Sequence, residues 1–369
     1  MQKNTLIAIL LSTIVVIASL AVQAKFFPQT TQISESNVNE EISENNNEDF
    51  NSLISDEKSF SAYSSENEAI EEKILEISTE KAQIVLTNKG GDIISYKLID
   101  HIDIDTNEGV QMADNVSSYN RACALALGKN ETILNTVFNV KQESKEKEQI
   151  ITFTKNLTVK NEDGTENSFI IGYTFNNEDY MFKLEILYHS DSENEFSYSI
   201  RTSPQIGPHF DPKLNRYENR QFLTYSGSKV KKYVIGTKQY KENDRQFTWA
   251  GISGKYFVNL FLLNPEENNK PEIETVYYSS KVESNNYANA QAILFRKPSA
   301  KKDFNDTYYV YFGPRNEKDL KIYNVAEKNN WNLSGIRLNE SLQSSGMLSW
   351  LETILKWVLE VINKFVHNW

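Results

Sequence analysis

From about Lys73 to Phe312 the chain is written in short runs of Ile, Val, Thr, Tyr and Phe, each closed by Gly, Asn or Asp. Runs of that length between turn residues are strands, and their spacing narrows the fold more than any other feature. Gln83 to Thr87 leads through Asn88-Lys89-Gly90-Gly91 into Ile93 to Leu98. Ile150 to Val159 turns at Asn161 to Gly164 into Ser168 to Phe175, and Asn176 to Asp179 turns again before Tyr180 to Tyr188. Further strands are expected at Phe196–Arg201, Tyr233–Gly236, Ile273–Ser279, Ala290–Phe295 and Thr307–Phe312. With no long helical period between them, they imply a mainly β fold, a large antiparallel sandwich. No period of 20–50 residues recurs, which excludes a solenoid or propeller. The 369 residues allow two or three domains or one large all-β body, and 19 Tyr and 19 Phe can fill its core.

The segment before this body has a different composition. Gln29 to Glu72 holds twelve Asp and Glu against the single Lys58, with nine Ser and seven Asn. That segment carries essentially the whole net charge of −11 and leaves the body near neutral. It cannot bury enough apolar surface to offset its ordering entropy, so a disordered, self-repelling tether is expected, with an acidic interaction tail as the alternative. Neither composition suits a phosphate-backbone binder, so nucleic acid is excluded as a partner.

Ahead of the tether, Leu6 to Val22 is apolar apart from Ser12, Thr13 and Ser19. A cleaved signal peptide would cut after Val22-Gln23-Ala24, whereas a retained anchor would place Phe26 and Phe27 at the outer interface. In either case everything after Pro28 leaves the cytoplasm. The single Cys123 permits neither an internal disulfide nor a Cys-ligated zinc site.

The body offers little chemistry. His101 lies near Asp100, Asp103 and Asp105, which could bind a cation only if they converged; a solvated acidic loop is the simpler reading. No phosphate-cradling glycine loop and no Gly-x-Ser-x-Gly elbow occur. Lys229, Lys231 and Lys232 read as a solvated strand end, and Pro204 to Pro212 as a rigid connection that could rim a groove. No catalytic residue, cofactor or metal site is expected.

Two motifs carry a resemblance. Gln246-Phe247-Thr248-Trp249-Ala250-Gly251-Ile252-Ser253-Gly254-Lys255-Tyr256-Phe257 and Tyr309-Val310-Tyr311-Phe312-Gly313-Pro314-Arg315 resemble segments of YidC-type membrane protein insertases. In that family the first precedes a strand of the large periplasmic domain. The second closes that domain with a Gly-Pro turn into a short helix. Gly90 and Gly91 are similar to the turn of its first strand pair, and the order of all these features extends the resemblance over essentially the whole chain. The resemblance implies a β-supersandwich like that of galactose mutarotases, without sugar chemistry.

The carboxyl end has a pattern of its own. Leu348, Leu351, Leu355, Val358, Ile362, Phe365 and Trp369 recur at spacings of three and four, the stripe of an amphipathic helix. Glu352, Lys356, Glu360 and Lys364 lie on another face. Trp350, Trp357 and Trp369 suit a headgroup boundary, so an interfacial helix is preferred over a core helix or short coiled coil. The resemblance, which includes a similar interfacial helix, strengthens that preference.

The expected organisation is therefore an anchor over 1–28, a tether over 29–72, a periplasmic β domain over 73–330, and a connecting segment with the interfacial helix over 331–369. The resemblance implies an insertase part held at the bacterial inner membrane by a single-pass anchor, with inner-membrane lipid and nascent membrane proteins as partners. The secretion translocon is a further candidate. The five-helix insertion core of the family should begin where this chain stops, so the chain alone is not expected to insert proteins. The rivals are an anchored sugar- or peptide-binding module and a mutarotase-like enzyme, the latter requiring a His and a carboxylate converging in a cleft.

Overall fold

The computed structural model describes residues 62–64, 70–113, 116–117, 120–128, 133–159, 166–190, 195–204, 206–208, 220–235, 241–242, 247–279 and 291–342. The anchor segment, nearly all of the tether and the helix bearing the Leu348–Trp369 stripe lie outside them. Among the described residues no helix is long and apolar enough to cross a membrane.

Three antiparallel sheets organise the body. The largest contains β1 (Ala62–Ser64), β7 (Asn139–Ser144), β8 (Glu148–Val159), β9 (Glu166–Asn176), β10 (Met181–Ser190), β12 (Gln221–Tyr225), β13 (Val230–Val234), β15 (Trp249–Ser253), β16 (Phe257–Leu263) and β19 (Asp303–Pro314). Its order is β1-β8-β9-β10-β19-β16-β15-β12-β13, with β7 also paired to β8. The second sheet runs β14 (Lys241–Glu242), β17 (Ile273–Ser279), β18 (Gln291–Arg296), β11 (Tyr198–Arg201), β6 (Leu125–Leu127). The third runs β2 (Ile74–Ser78), β3 (Ala82–Thr87), β4 (Asp92–Asp103), β5 (Glu108–Gln111). A strand meets each expected run, most of them longer than the run that signals it; the one expected at Tyr233–Gly236 is displaced, running Val230–Val234. Backbone pairing continues past the last apolar side chain wherever a neighbour strand is long enough.

Two layers of side chains bury both faces of the central strands. On one face Tyr308, Val310 and Phe312 of β19 join Phe182, Leu184, Ile186, Ile252 and Phe261 in the main core. On the other, Tyr311 joins Trp249, Leu260, Leu262, Leu320, Tyr323, Leu333, Ile336 and Leu338. That second layer is supplied by α1 (Glu317–Lys321) and the irregular chain that follows it. Residues 331–342, expected as the start of a connecting segment, thus fold onto the body, with Leu333, Ile336 and Leu338 buried. Ala62–Ser64, within the expected tether, pair with Leu157–Val159. A three-residue edge addition uses backbone groups alone, so the tether's polar composition does not oppose it. Together β7 and β1 cover successive halves of the exposed edge of β8, which limits unwanted pairing.

Buried charge ties the layers together. Arg296 of β18 pairs with Asp306 of β19, and both side chains are almost wholly buried. Tyr198 of β11 donates to the same carboxylate at 2.7 Å and lies 2.9 Å from the Tyr308 hydroxyl. The Arg296 guanidinium also stands 3.9 Å from the centre of the Phe304 ring. Burial pushes the Asp306 carboxyl up, and Arg296 and Tyr198 pull it back. A second tie joins Asp92 to Arg121 at 2.7 Å, and Arg121 also donates to the Leu134 carbonyl at 3.1 Å and the Asn135 side chain at 2.8 Å. Here burial dominates, raising Asp92 to about 7 despite Arg121.

Gly90 sits against this second tie with φ +89°. A Cβ there would lie 2.4 Å from both the Asp92 carboxylate and the Leu134 carbonyl. Positive φ and a backbone collision act together, so Gly90→Ala is expected to cost more than about 2 kcal/mol. Urea unfolding of the two proteins checks this, and an unchanged midpoint would refute the fit.

Candidate functional site

The two sequence motifs meet at one corner of the large sheet. Trp249 to Ser253 is itself a strand, β15, and the motif also leads into the next one, as expected. Gly254, Lys255 and Tyr256 make the turn to β16, which begins at Phe257. Phe257 pairs with Pro314 and Val258 with Gly313, so the end of the second motif lies beside the turn of the first. Trp249 is buried in the outer layer, its ring stacked 5.1 Å from Tyr225. Pro314 ends β19, and Asn316 caps α1 by accepting from the Asp319 backbone N–H at 2.9 Å.

Arg315 fastens this corner. Its backbone N–H donates to the Tyr256 carbonyl at 2.7 Å. Its guanidinium donates to the Gly254 carbonyl at 3.1 Å and to the Ser341 carbonyl at 2.8 Å. Lys232 of β13 reaches the Ser341 carbonyl as well, at 3.2 Å. Burial, and then the nearby Arg315 charge, lower Lys232 to about 8, so this lysine of the basic cluster is half-buried rather than solvated. Gly254 has no room for a side chain, since a Cβ would lie 1.6 Å from an Arg220 nitrogen. Arg220 in turn donates to the Pro208 carbonyl at 2.9 Å, which ties the proline loop into the body. The turn of the first motif, the end of the second and the chain leaving the body are thus joined through one arginine.

Lys255 and Tyr256 project from this corner. Tyr256 is 54% exposed, with the Lys255 ammonium 4.8 Å from its ring centre. Behind them the His101 ring meets Phe257 edge-on at 5.4 Å, and His101 Nε2 lies 3.3 Å from the Tyr180 hydroxyl. The acidic residues near His101 do not converge. Asp100 pairs with Lys81 at 3.1 Å, and Asp103 accepts from the Asp105 backbone. Among the described residues no group of His, Cys, Asp and Glu is placed to hold a metal ion. Gly90 and Gly91 precede β4 at its far end from His101; Gly90 abuts the Asp92–Arg121 tie, and Gly91 packs against Ile171 and Phe153.

One His–carboxylate pair does occur in a depression. His189 of β10 and Asp303 of β19 bond at 2.6 Å beside an open groove of about 340 Å³, lined also by Ile170, Leu187 and Asn305. Sequence reading missed this pair because 114 residues separate its members. It missed the part played by Arg315 for a related reason: the side chain's partners are backbone carbonyls far along the chain, which no motif displays.

The corner defines a class: a mainly β module whose last strand is latched to the segment that leaves it. The sequence profile of the YidC periplasmic domain matches residues 74–358, and the chain belongs to that family. It is 34% identical to the membrane protein insertase YidC of Treponema denticola over 393 residues, covering all of this chain and 65% of the relative. It is 29% identical to the Treponema pallidum protein of the same name over 344 residues, covering 83% of this chain and 54% of that one. The chain therefore spans between about half and two thirds of these curated relatives. Among solved structures it is similar to a galactose mutarotase-like protein from Lactobacillus casei, with a TM-score of 0.41 and 9% identity over 65% of this chain and all of that one. A putative mutarotase from Salmonella typhimurium gives a TM-score of 0.42 at 7% identity, over 72% of this chain and 99% of that one.

If Arg315 is the latch, Arg315→Gln should free the departing segment without unfolding the sheets. Hydrogen bonds to a charged group contribute roughly 1.5–3 kcal/mol. Amide exchange in residues 337–342 is therefore expected to quicken about tenfold or more, while that in β16 and β19 stays unchanged. Equal protection in both proteins would show that the latch carries no load.

Proposed function

We propose that this chain is the periplasmic part of a membrane protein insertase, held at the inner membrane by Leu6 to Val22 as a single-pass anchor. Its bulk lies in the periplasm, the Leu348–Trp369 helix lies in the outer leaflet, and its partners are lipid and nascent membrane proteins. The observation that carries this reading is the corner itself. The two segments resembling insertase motifs build the point where the chain leaves the body toward that helix, and Arg315 fixes its direction. Such a junction transmits position between a folded body and a membrane. The role is supportive: the body orients and assists, and insertion itself belongs to the membrane core of the family.

Accessibility tests the placement. Protease added outside spheroplasts is expected to degrade the body, while intact cells protect it. A body that resists protease in spheroplasts until the inner membrane is lysed would place it in the cytoplasm and overturn the reading.

A sugar-isomerising activity is the second reading, because His189 and Asp303 do converge. General acid–base catalysis of ring opening needs the acid and the base each within hydrogen-bond reach of the substrate atom it serves. Here the two groups bond to each other and are largely exposed, at 58% and 73%. We therefore read the pair as a surface ion pair and the chain as no enzyme. Polarimetry of freshly dissolved α-galactose is expected to show no acceleration by the protein; an acceleration abolished by His189→Gln would restore the enzyme.

A further inference from the structure

The corner carries more than a latch. Tyr256 stands 54% exposed at a turn, beside Lys255, on a body whose other aromatic side chains are largely buried among the described residues. Its neighbour Phe257 meets His101 of β4, three residues before the turn that joins β4 to β5 begins at Ile104. At the tip of that turn Ile104 is 92% exposed. Neither side chain packs against the core, and Ile102, on the strand that leads to Ile104, is 60% exposed as well. Most of the acidic groups around Ile104 are already occupied. Asp100 pairs with Lys81, Glu108 pairs with Lys97, and Asp103 is buried and accepts from the Asp105 backbone.

We propose that the Lys255–Tyr256 tip, together with Ile104 of the β4–β5 turn, is a lipid-surface contact of the body, separate from the carboxyl-terminal helix. A tyrosine with an apolar ring and a polar tip suits the headgroup boundary, a lysine alongside it suits anionic lipid, and an isoleucine adds apolar area just below. Position supports the choice of partner. Arg315 bonds both to the tip and to Ser341, so the tip and the exit of the chain are one place. Only five residues separate Leu342 from Leu348, a reach of at most roughly 20 Å. The inference rests on the interfacial reading of that helix: with the helix in the leaflet, the tip lies within reach of the same surface.

Lysine footprinting of the full chain tests it without altering the surface. The protein is reconstituted in vesicles of phosphatidylglycerol and phosphatidylcholine, or of phosphatidylcholine alone, and treated with a water-soluble acylating reagent. Lys255 reports the tip, Lys356 the helix, and Lys301, 66% exposed, serves as the reference. One lysine at an anionic surface contributes about 1 kcal/mol, so Lys255 is expected to react about fivefold more slowly in the anionic vesicles relative to Lys301. The double variant Tyr256→Ser/Ile104→Ser should restore its reactivity there, with the thermal midpoint in solution unchanged. If Lys356 is slowed and Lys255 is not, the tip contact is overturned and the helix reading stands. If Lys255 alone is slowed, the tip contact stands without the helix. If neither is slowed, both fall. Protection of Lys255 that survives the double variant would assign it to a contact within the protein and defeat the proposal.

Discussion

Strands β16 and β19 must bury both of their faces, and the rest of the structure answers to that requirement. Phe257-Val258-Asn259-Leu260-Phe261-Leu262-Leu263 and Thr307-Tyr308-Tyr309-Val310-Tyr311-Phe312 do not alternate apolar with polar as a half-exposed antiparallel strand does. One face of each is met by the second sheet and its own neighbours. The other needs a lid, and α1 with the chain through Leu338 provides it. The body cannot end at β19 without leaving Trp249, Leu260, Leu262 and Tyr311 in water, a loss of roughly 1.5–3 kcal/mol for each large side chain. The return of the chain over the sheet is thus a packing necessity before it is anything functional.

The polar ties inside the body have a different task. A buried ion pair seldom adds net stability over an apolar replacement, because desolvation offsets the attraction. What it does is penalise misalignment. Arg296, Asp306, Tyr198 and Tyr308 come from β18, β19 and β11, in two sheets. A shift of β19 by one residue would turn Asp306 out of the interior and strand Arg296. The Asp92–Arg121 tie does the same between β4 and the irregular chain leading into β6. Apolar packing alone, with so many interchangeable Phe and Tyr rings, would specify these registers weakly.

Strand content was legible because each strand carries β-branched and aromatic residues between turn formers, and that signal is local. The outer layer was not legible. Residues 331–342 contribute Leu333, Ile336 and Leu338 at spacings of three and two, which match neither a helix nor a strand, and the segment read as a connection. The pairing of Ala62–Ser64 left no trace either, since it rests on backbone groups that every residue has. At the corner, the residues of the two motifs were visible as motifs, and their meeting follows from strand order. Arg315 was visible only as the last letter of one of them. Its significance depends on Gly254 and Ser341, 61 and 26 residues away, presenting carbonyls to it.

A junction made of carbonyls has properties that one made of carboxylates would lack. Arginine stays charged at any physiological pH, and a carbonyl has no proton to gain or lose, so the hold of Arg315 on Gly254, Tyr256 and Ser341 does not titrate. Screening by salt is also weak where the guanidinium is mostly buried. Lys232, which burial lowers to about 8, adds a second bond to Ser341 rather than the only one. A periplasm exchanges ions and protons freely with the medium, and a titratable latch there would slacken with every change outside the cell. Fixing the exit with an arginine and backbone oxygens keeps the angle between body and departing chain constant under those changes. For the positioning role proposed above, that constancy is the useful property.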